Sequence, residues 1–379
     1  MASLVKRMRE TMNAQQVVQT DLDAICEQLA GTLPALCGKR LLITGGAGFL
    51  GYYLVQTITH WNAASGAQPI DLTIYDKLFR GMPSWLEPLR AQRRLTLVRH
   101  DITAPLPLDI EPFHYVIHAA SLASPTYYRM QPIETMDANV NGLRLLLDEA
   151  TRQQRTNCPV EGLLFFSSSE IYGDASPDAI PTPESYRGNV SSIGPRACYD
   201  ESKRYGETLC VNFARQHHLP ITIVRPFNNY GPGLKLSDRR VIPDFAQDVL
   251  NGRDIVLLSD GSPTRTFCYV ADAVVGYYKL LVHGQRGEAY NIGVETPEIS
   301  IGELAQQVVD LARELFHYPG CVTYQVSPDL DYLTDNPNRR CPLIAKARAD
   351  VDYAPRYSLR EGLQRSLIWY DSNRSEVGA

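Results

Sequence analysis

Arg40-Leu-Leu-Ile-Thr44 runs directly into Gly45-Gly46-Ala47-Gly48-Phe49-Leu50-Gly51, and then into a stretch with apolar residues at Leu50, Leu54, Ile58 and Trp61. The short apolar run reads as a strand buried on both faces, and the three- and four-residue spacing after it reads as a helix. Glycines at such a junction let the backbone turn tightly and approach a pyrophosphate, whose charge the free amides of the helix N-terminus favour. The spacing is G-x-x-G-x-x-G, which alone also fits a plain packing turn; its place between strand and helix favours a dinucleotide site. The next strand ends at Tyr75-Asp76, 25 residues beyond Gly51. A carboxylate there accepts hydrogen bonds from both adenosine ribose hydroxyls and repels a 2′-phosphate, favouring NAD over NADP, although Lys77 and Arg80 follow closely and either cation would suit a phosphate.

Outward from this unit the pattern repeats. Short β-rich runs occur at 41–44, 72–75, 95–98, 115–118, 163–166 and 221–224, with helical patterns between several of them. Continuous apolar strands alternating with helices predict an α/β fold, a Rossmann-like doubly wound parallel sheet covered on both faces. We assign residues 39–225 to this NAD-binding domain. Beyond 225 the alternation loosens into turn-rich segments such as 228–233 and 261–264, with helical patterns at 241–251, 271–283 and 301–316, and we read 226–379 as a smaller, mainly substrate-binding portion. Residues 1–38 differ from both. Leu4, Met8 and Met12, then Val18, Leu22, Ile25 and Leu29, recur at helical spacing, and Asp21, Asp23 and Glu27 argue against a targeting peptide. This extension is expected to be helical and to pack on its own subunit or on a neighbour.

Composition bounds the function. The chain has 379 residues, two to three domains' worth at about 150 each, and its 44% apolar and 21% charged residues exclude a disordered chain. The net charge of −5 disfavours a nucleic-acid partner. No apolar run approaches the ~18 residues of a membrane span, and a cytoplasmic protein without a membrane partner is expected. The eight cysteines include no C-x-x-C pair and the histidines no H-E-x-x-H, so reduced thiols and no metal are expected.

Tyr199-Asp-Glu-Ser-Lys203 places a phenol and an ammonium four residues apart, on one face of a helix. A neighbouring cation favours phenolate, which makes Tyr199 a base for a sugar hydroxyl. Taken in order, Thr44–Gly51, His118-Ala-Ala-Ser121, Ser168-Ser-Glu-Ile-Tyr-Gly173, Tyr199-x-x-x-Lys203, Arg225-Pro-Phe-Asn-Asn-Tyr-Gly-Pro232 and Arg265-Thr-Phe-x-Tyr-Val270 resemble the extended short-chain dehydrogenase/reductase superfamily, in its nucleotide-sugar epimerase/dehydratase branch. The resemblance runs from about 39 to 371. It implies NAD held by Gly45, Gly48, Phe49, Leu50 and Asp76, with Asp101 and Ile102 beside the adenine and Ala119 and Ala120 beside the middle of the cofactor. It also implies that Ser168, Tyr199 and Lys203 act together, and that Asn228 and Arg265 bind the substrate diphosphate. A structural loop role is the lesser alternative for each of the last two.

The family oxidises the sugar C4 hydroxyl with NAD and its branches then diverge. In 4,6-dehydratases the strand-end motif reads Thr-Asp-Glu; here it reads Ser168-Ser169-Glu170, without the acidic partner that dehydration uses. Serine before glutamate resembles the UDP-glucuronate decarboxylases (UDP-xylose synthases), as do Ala123-Ser-Pro-Thr-Tyr127, Ile193-Gly-Pro-Arg-Ala-Cys-Tyr-Asp-Glu-Ser-Lys203 and Arg340-Cys-Pro-Leu-Ile-Ala-Lys346. This chain departs from them at Leu343 and at Asp352-Tyr-Ala-Pro355. The implied reaction is loss of carbon dioxide from a 4-keto uronate, with Arg340 near the carboxylate, Tyr199 and Ser168 at the C4 oxygen, and Ser169 and Glu170 around C5. Glu170 also fits a structural acceptor, and Arg340 a surface ion pair. Tyr127 and Val241 are expected against the substrate, Val241-Ile-Pro243 beside its base.

The alternatives are a 4-epimerase, a decarboxylase that releases the 4-keto pentose, a 4,6-dehydratase, and, from another class, a non-catalytic NAD-binding scaffold. Relatives pair through two helices per subunit, here about 133–154 and 199–217, which implies a homodimer.

Overall fold

The computed structural model describes residues 12–107, 110–327 and 334–374; Leu4 and Met8 of the amino-terminal pattern lie outside them. Helix α1 (Ala14–Gln28) opens on a capping box in which Asn13 and Gln16 each bond the other's backbone N–H. It buries Val18, Leu22 and Ile25, which with the buried Leu29 form the stripe that the spacing predicts, and Val17 beside them, and packs against three later helices of its own chain.

The central sheet takes β1 (Arg40–Thr44), β2 (Asp71–Asp76), β3 (Leu95–Arg99), β4 (Tyr115–His118), β5 (Gly162–Phe166) and β6 (Ile221–Pro226), the six runs read from the sequence. Between them lie α2 (Phe49–Ala64), α3 (Pro125–Met130), α4 (Pro132–Asp137), α5 (Leu143–Gln153) and α6 (Ala197–His217), a π-helical turn at Ala138–Gly142 joining α4 to α5. Beyond 225 come β7 (Asn229–Tyr230), α7 (Val241–Leu250), β8 (Ile255–Leu257), β9 (Thr264–Arg265), β10 (Cys268–Tyr269), α8 (Val270–His283), β11 (Ala289–Ile292), β12 (Ile299–Ser300), α9 (Ile301–Phe316), β13 (Val322–Tyr324), β14 (Arg339–Arg340), α10 (Ala345–Val351) and α11 (Leu359–Ser372).

The main sheet has seven strands in the order β11-β6-β5-β4-β1-β2-β3, every pair parallel. Its seventh strand therefore comes from the chain beyond 225, and α8 packs on β5, β6 and β11. Ala289-Tyr-Asn-Ile292 lacks a continuous apolar run. Asn291 is fully buried but satisfied: its Nδ2 donates to the Thr182 and Leu343 carbonyls and its Oδ1 accepts from Tyr172 Oη at 2.8 Å. Four shorter strand pairings outside this sheet join β10 to β7, β9 to β12 and β14, and β13 to β8.

The strand order reverses between β1 and β4, which opens a crevice at the carboxyl ends of the strands, where ligands bind in open α/β sheets. Gly45, Asp76, Ala119, Ser168 and Asn228 each stand at or just beyond such an end.

Candidate active site

One cavity of about 1250 Å³ fills this crevice. It is lined by every residue to which the sequence assigns cofactor, catalytic or substrate work. The local physics explains the cofactor half. Gly45 has φ +74°, and a Cβ there would fall 2.7 Å from the Ala120 backbone, so the turn closes only on glycine. At Gly51 a Cβ would meet the Gly46 carbonyl oxygen at 2.1 Å, and Gly48 is the N-cap of α2. Asp76 spans the turn: Oδ2 accepts from Ala47 N–H at 3.0 Å and Oδ1 from Leu78 N–H at 2.7 Å. Each oxygen keeps a lone pair for a ribose hydroxyl. Ser121 Oγ is buried in the cavity wall without a hydrogen-bond partner. The two nearby cations are already committed. Lys77 Nζ lies 2.6 Å from Asp101 Oδ2, while Arg80 pairs with Asp238 at 3.0 Å and donates to Ser237 at 2.8 Å. A glycine cradle with a carboxylate where the ribose is expected, its two neighbouring cations committed elsewhere, fits NAD.

Ser168, Tyr199 and Lys203 converge from β5 and α6. The Ser168 hydroxyl faces the Tyr199 phenol and accepts from Glu170 N–H at 3.2 Å. Lys203 Nζ donates to the Phe166 carbonyl at 2.7 Å and lies 5.7 Å from the Tyr199 ring centre. All three side chains are buried. Burial pushes Tyr199 up to about 12, against the lowering effect of the Ser168 hydroxyl, and depresses Lys203 to about 7. Tyr128 stacks on Tyr199 at 5.1 Å between ring centres, fixing the phenol's plane. His118, buried one strand over, bonds Thr44 Oγ1 through Nδ1 at 2.7 Å, and burial lowers it to about 3, so the ring is neutral.

The substrate half holds a concentration of buried charge. Glu170 Oε2 accepts from Arg340 Nη2 at 2.6 Å and from Arg196 Nη2 at 2.5 Å. Burial alone would raise this carboxyl, but the two guanidiniums outweigh it and hold Glu170 below the ordinary carboxylate range. Nε of Arg340 and Nε of Arg196 are buried without hydrogen-bond partners. Arg340 is thus an inward-facing side chain, 12% exposed, and the surface ion pair is set aside. Asp200, one residue past Tyr199, has its Oδ2 3.8 Å from Arg196 Nε; burial and the charge of Glu170 raise its carboxyl.

Two residues assigned to the diphosphate are occupied within the protein. Asn228, at φ +42°, donates through Nδ2 to the Thr266 carbonyl at 2.8 Å and accepts at Oδ1 from Arg340 Nη1 at 3.3 Å. Arg265 Nη1 donates to the carbonyls of Thr264 and Asn338, and its Nη2 to that of Pro337 at 2.5 Å, which ties it to the 336–338 segment. Burial and the Arg340 charge lower Arg265 to about 9. Tyr127 lies under the Arg80 guanidinium, 5.0 Å from its ring centre, and Val241 opens α7 and lines the cavity.

Sequence reasoning singled out neither Arg196 nor Tyr128. Arg196 was legible in principle, since it precedes Tyr199 by three residues at the start of α6 and so shares its face. Tyr128 carried no signal, because its approach to Tyr199 is a contact between elements distant in the chain.

A doubly wound sheet with a dinucleotide turn at its switch point and a Ser–Tyr–Lys set facing it defines an NAD-dependent enzyme of the short-chain dehydrogenase type. Residues 41–293 match the NAD dependent epimerase/dehydratase family, and the chain belongs to that family. It is 36% identical to UDP-glucuronic acid decarboxylase 6 of Arabidopsis thaliana over 329 residues, 86% of each chain. Among solved structures it resembles an epimerase from the thermophilic pseudomurein-containing methanogen Methanothermobacter thermautotrophicus, with TM-score 0.77, 27% identity, and 93% of this chain and 98% of that one covered. It also resembles the dTDP-glucose 4,6-dehydratase DesIV of Streptomyces venezuelae, solved with NAD bound, with TM-score 0.75, 25% identity, and 89% of this chain and 98% of that one covered.

Proposed function

We propose that this protein decarboxylates a nucleotide-diphospho-uronic acid, UDP-glucuronate, to the corresponding pentose, UDP-xylose, with no net redox change. The observation that carries this reading is the charge of the substrate half. Arg196, Arg265 and Arg340 are buried around the carboxyls of Glu170 and Asp200, the latter raised by burial and by the charge of Glu170, which leaves a surplus of positive charge that an anionic sugar relieves. The similarity to plant UDP-glucuronic acid decarboxylases supports it.

Bound between Gly45, Gly48, Asp76 and Lys203, NAD supplies reversible oxidation of the sugar C4 carbinol. Tyr199 takes the C4 hydroxyl proton as Ser168 holds the oxygen. The cationic form of Lys203 favours the phenolate that this requires. Oxidation at C4 makes the C5 carboxylate that of a β-keto acid. Its C5–C6 bond then breaks, carbon dioxide leaves, and the electron pair moves through C5 to the C4 oxygen, where the Tyr199 and Ser168 hydroxyls stabilise it. Arg340 and Arg196 orient the departing carboxylate. Glu170, kept ionised by the same two arginines, is a poor proton donor, so we assign it to hold their guanidiniums and, with Ser169, to order the water that protonates C5. Dehydration lacks its acid, since Ser169 stands where dehydratases carry aspartate.

We also propose a homodimer in the cytoplasm. Met130, Ile133, Met136 and Tyr205 leave an apolar face exposed on α3, α4 and α6, within and beside the helices expected to pair. All eight cysteines are free thiols, which suits a reducing compartment.

Incubation with UDP-glucuronate and NAD tests the reaction. Carbon dioxide with no lasting NADH absorbance is expected. Stoichiometric NADH would mean release of the 4-keto pentose, and UDP-galacturonate without gas would mean an epimerase; either result overturns the proposal.

A further inference from the structure

Asp21 lies in the amino-terminal helix, ahead of the residues that match the family, yet it is fully buried and bonded to four side chains. Its Oδ2 accepts from Tyr53 Oη and from Tyr269 Oη, both at 2.5 Å. Its Oδ1 accepts from Arg365 Nη1 at 2.8 Å and from Tyr357 Oη at 3.2 Å. Burying a carboxylate is unfavourable unless its lone pairs are taken up by donors, and here both oxygens are. The donors sit on α2, on β10, in the segment before α11 and on α11 itself. Three of these four lead into the cavity wall. Phe49, Leu50 and Tyr52 line it just ahead of Tyr53, Arg265 and Phe267 line it just ahead of Tyr269, and Trp369 lines it one turn beyond Arg365. Trp369 Nε1 also donates to Tyr52 Oη at 3.3 Å, joining two of these walls directly.

We propose that Asp21 is a positioning residue through which the amino-terminal helix sets the spacing of the ligand cavity. Through Tyr53 it holds α2, whose first turn carries the dinucleotide loop. Through Tyr269 it holds the strand that follows Arg265 on the substrate side. The extension therefore governs ligand affinity and is more than a stabilising appendage. Losing one phenol hydroxyl leaves a buried carboxylate lone pair without its donor, and the element on that spoke must shift or admit water.

The test uses the full chain with Tyr53→Phe and Tyr269→Phe, each of which deletes one hydroxyl and keeps its ring. NADH binding is read by fluorescence titration, UDP binding by calorimetry, and unfolding by thermal melts. Tyr53→Phe is expected to weaken NADH binding about 3- to 10-fold, the worth of one hydrogen bond, with UDP binding changed less than about twofold. Tyr269→Phe is expected to do the reverse. Asp21→Asn should weaken both; if it does not fold, the two phenylalanine variants decide alone. Unchanged affinities in both variants, or equal losses of both ligands in each variant in step with the melting temperature, would overturn the proposal. The UDP arm rests on the nucleotide-sugar reading and the NADH arm does not. A native protein that ignores UDP would refute that reading and leave the Tyr53 arm to decide this one.

Discussion

Burial lowers Lys203 from the ordinary 10.5 to about 7, and this has a thermodynamic signature in the NAD-free protein. Between those two pH values the unfolded chain binds a proton that the folded chain declines, so this group's contribution to stability falls as pH drops through the window and levels off below about 7. Lys203→Met removes the contribution. The melting-temperature advantage of Lys203→Met over the native protein is therefore expected to grow from pH 10 to pH 7, and parallel curves would show that the ammonium is not held in that environment. Arg340→Met probes the other half of the site. It is expected to lower kcat/KM for UDP-glucuronate about 10²- to 10³-fold, the usual worth of a directed charge at a reacting group, and to leave NADH titration unchanged. At this scale the sequence was most informative where spacing on one element carries the chemistry. Tyr199 and Lys203 are legible from a helical repeat, and Asp76 from its place at a strand end. The use of Arg340 on Glu170 was not, because Arg340 on β14 and Glu170 on the turn after β5 are 170 residues apart and meet only in the assembled fold.

Among the elements, the strands that are continuous apolar runs were legible, and β11 was not. Its Asn291 looks like a turn residue until the carbonyls of Thr182 and Leu343 are brought around it by tertiary packing. The amino-terminal helix was legible as amphipathic from its stripe, whereas Asp21 read as one of three acids and showed nothing of its four donors. Helices α4 and α6 carry the prediction that belongs here. Ile133 is 63% exposed and Tyr205 53%, an apolar face that a second copy of the chain would cover. Ile133→Glu combined with Tyr205→Glu is expected to convert a dimeric mass to a monomeric one in light scattering at micromolar concentration. A native protein already monomeric under those conditions would contradict the homodimer.

Across the whole molecule, the crevice joins a turn built for a dinucleotide to a pocket with more buried guanidinium than carboxylate. The first was legible from the opening glycines. The second is a property of the assembled fold, since Arg196, Arg265, Arg340 and Glu170 come from four separate segments. The account's central claim is that a ketone at C4 is formed and then erased in one active site, so the atom removed from C4 must return to it. UDP-glucuronate deuterated at C4 tests this directly by mass spectrometry and NMR of the pentose product. The account predicts carbon dioxide and UDP-xylose that keeps deuterium at C4, with a solvent-derived hydrogen at C5. A UDP-xylose product without deuterium at C4, or label recovered in free reduced NAD beside a 4-keto sugar, would contradict it.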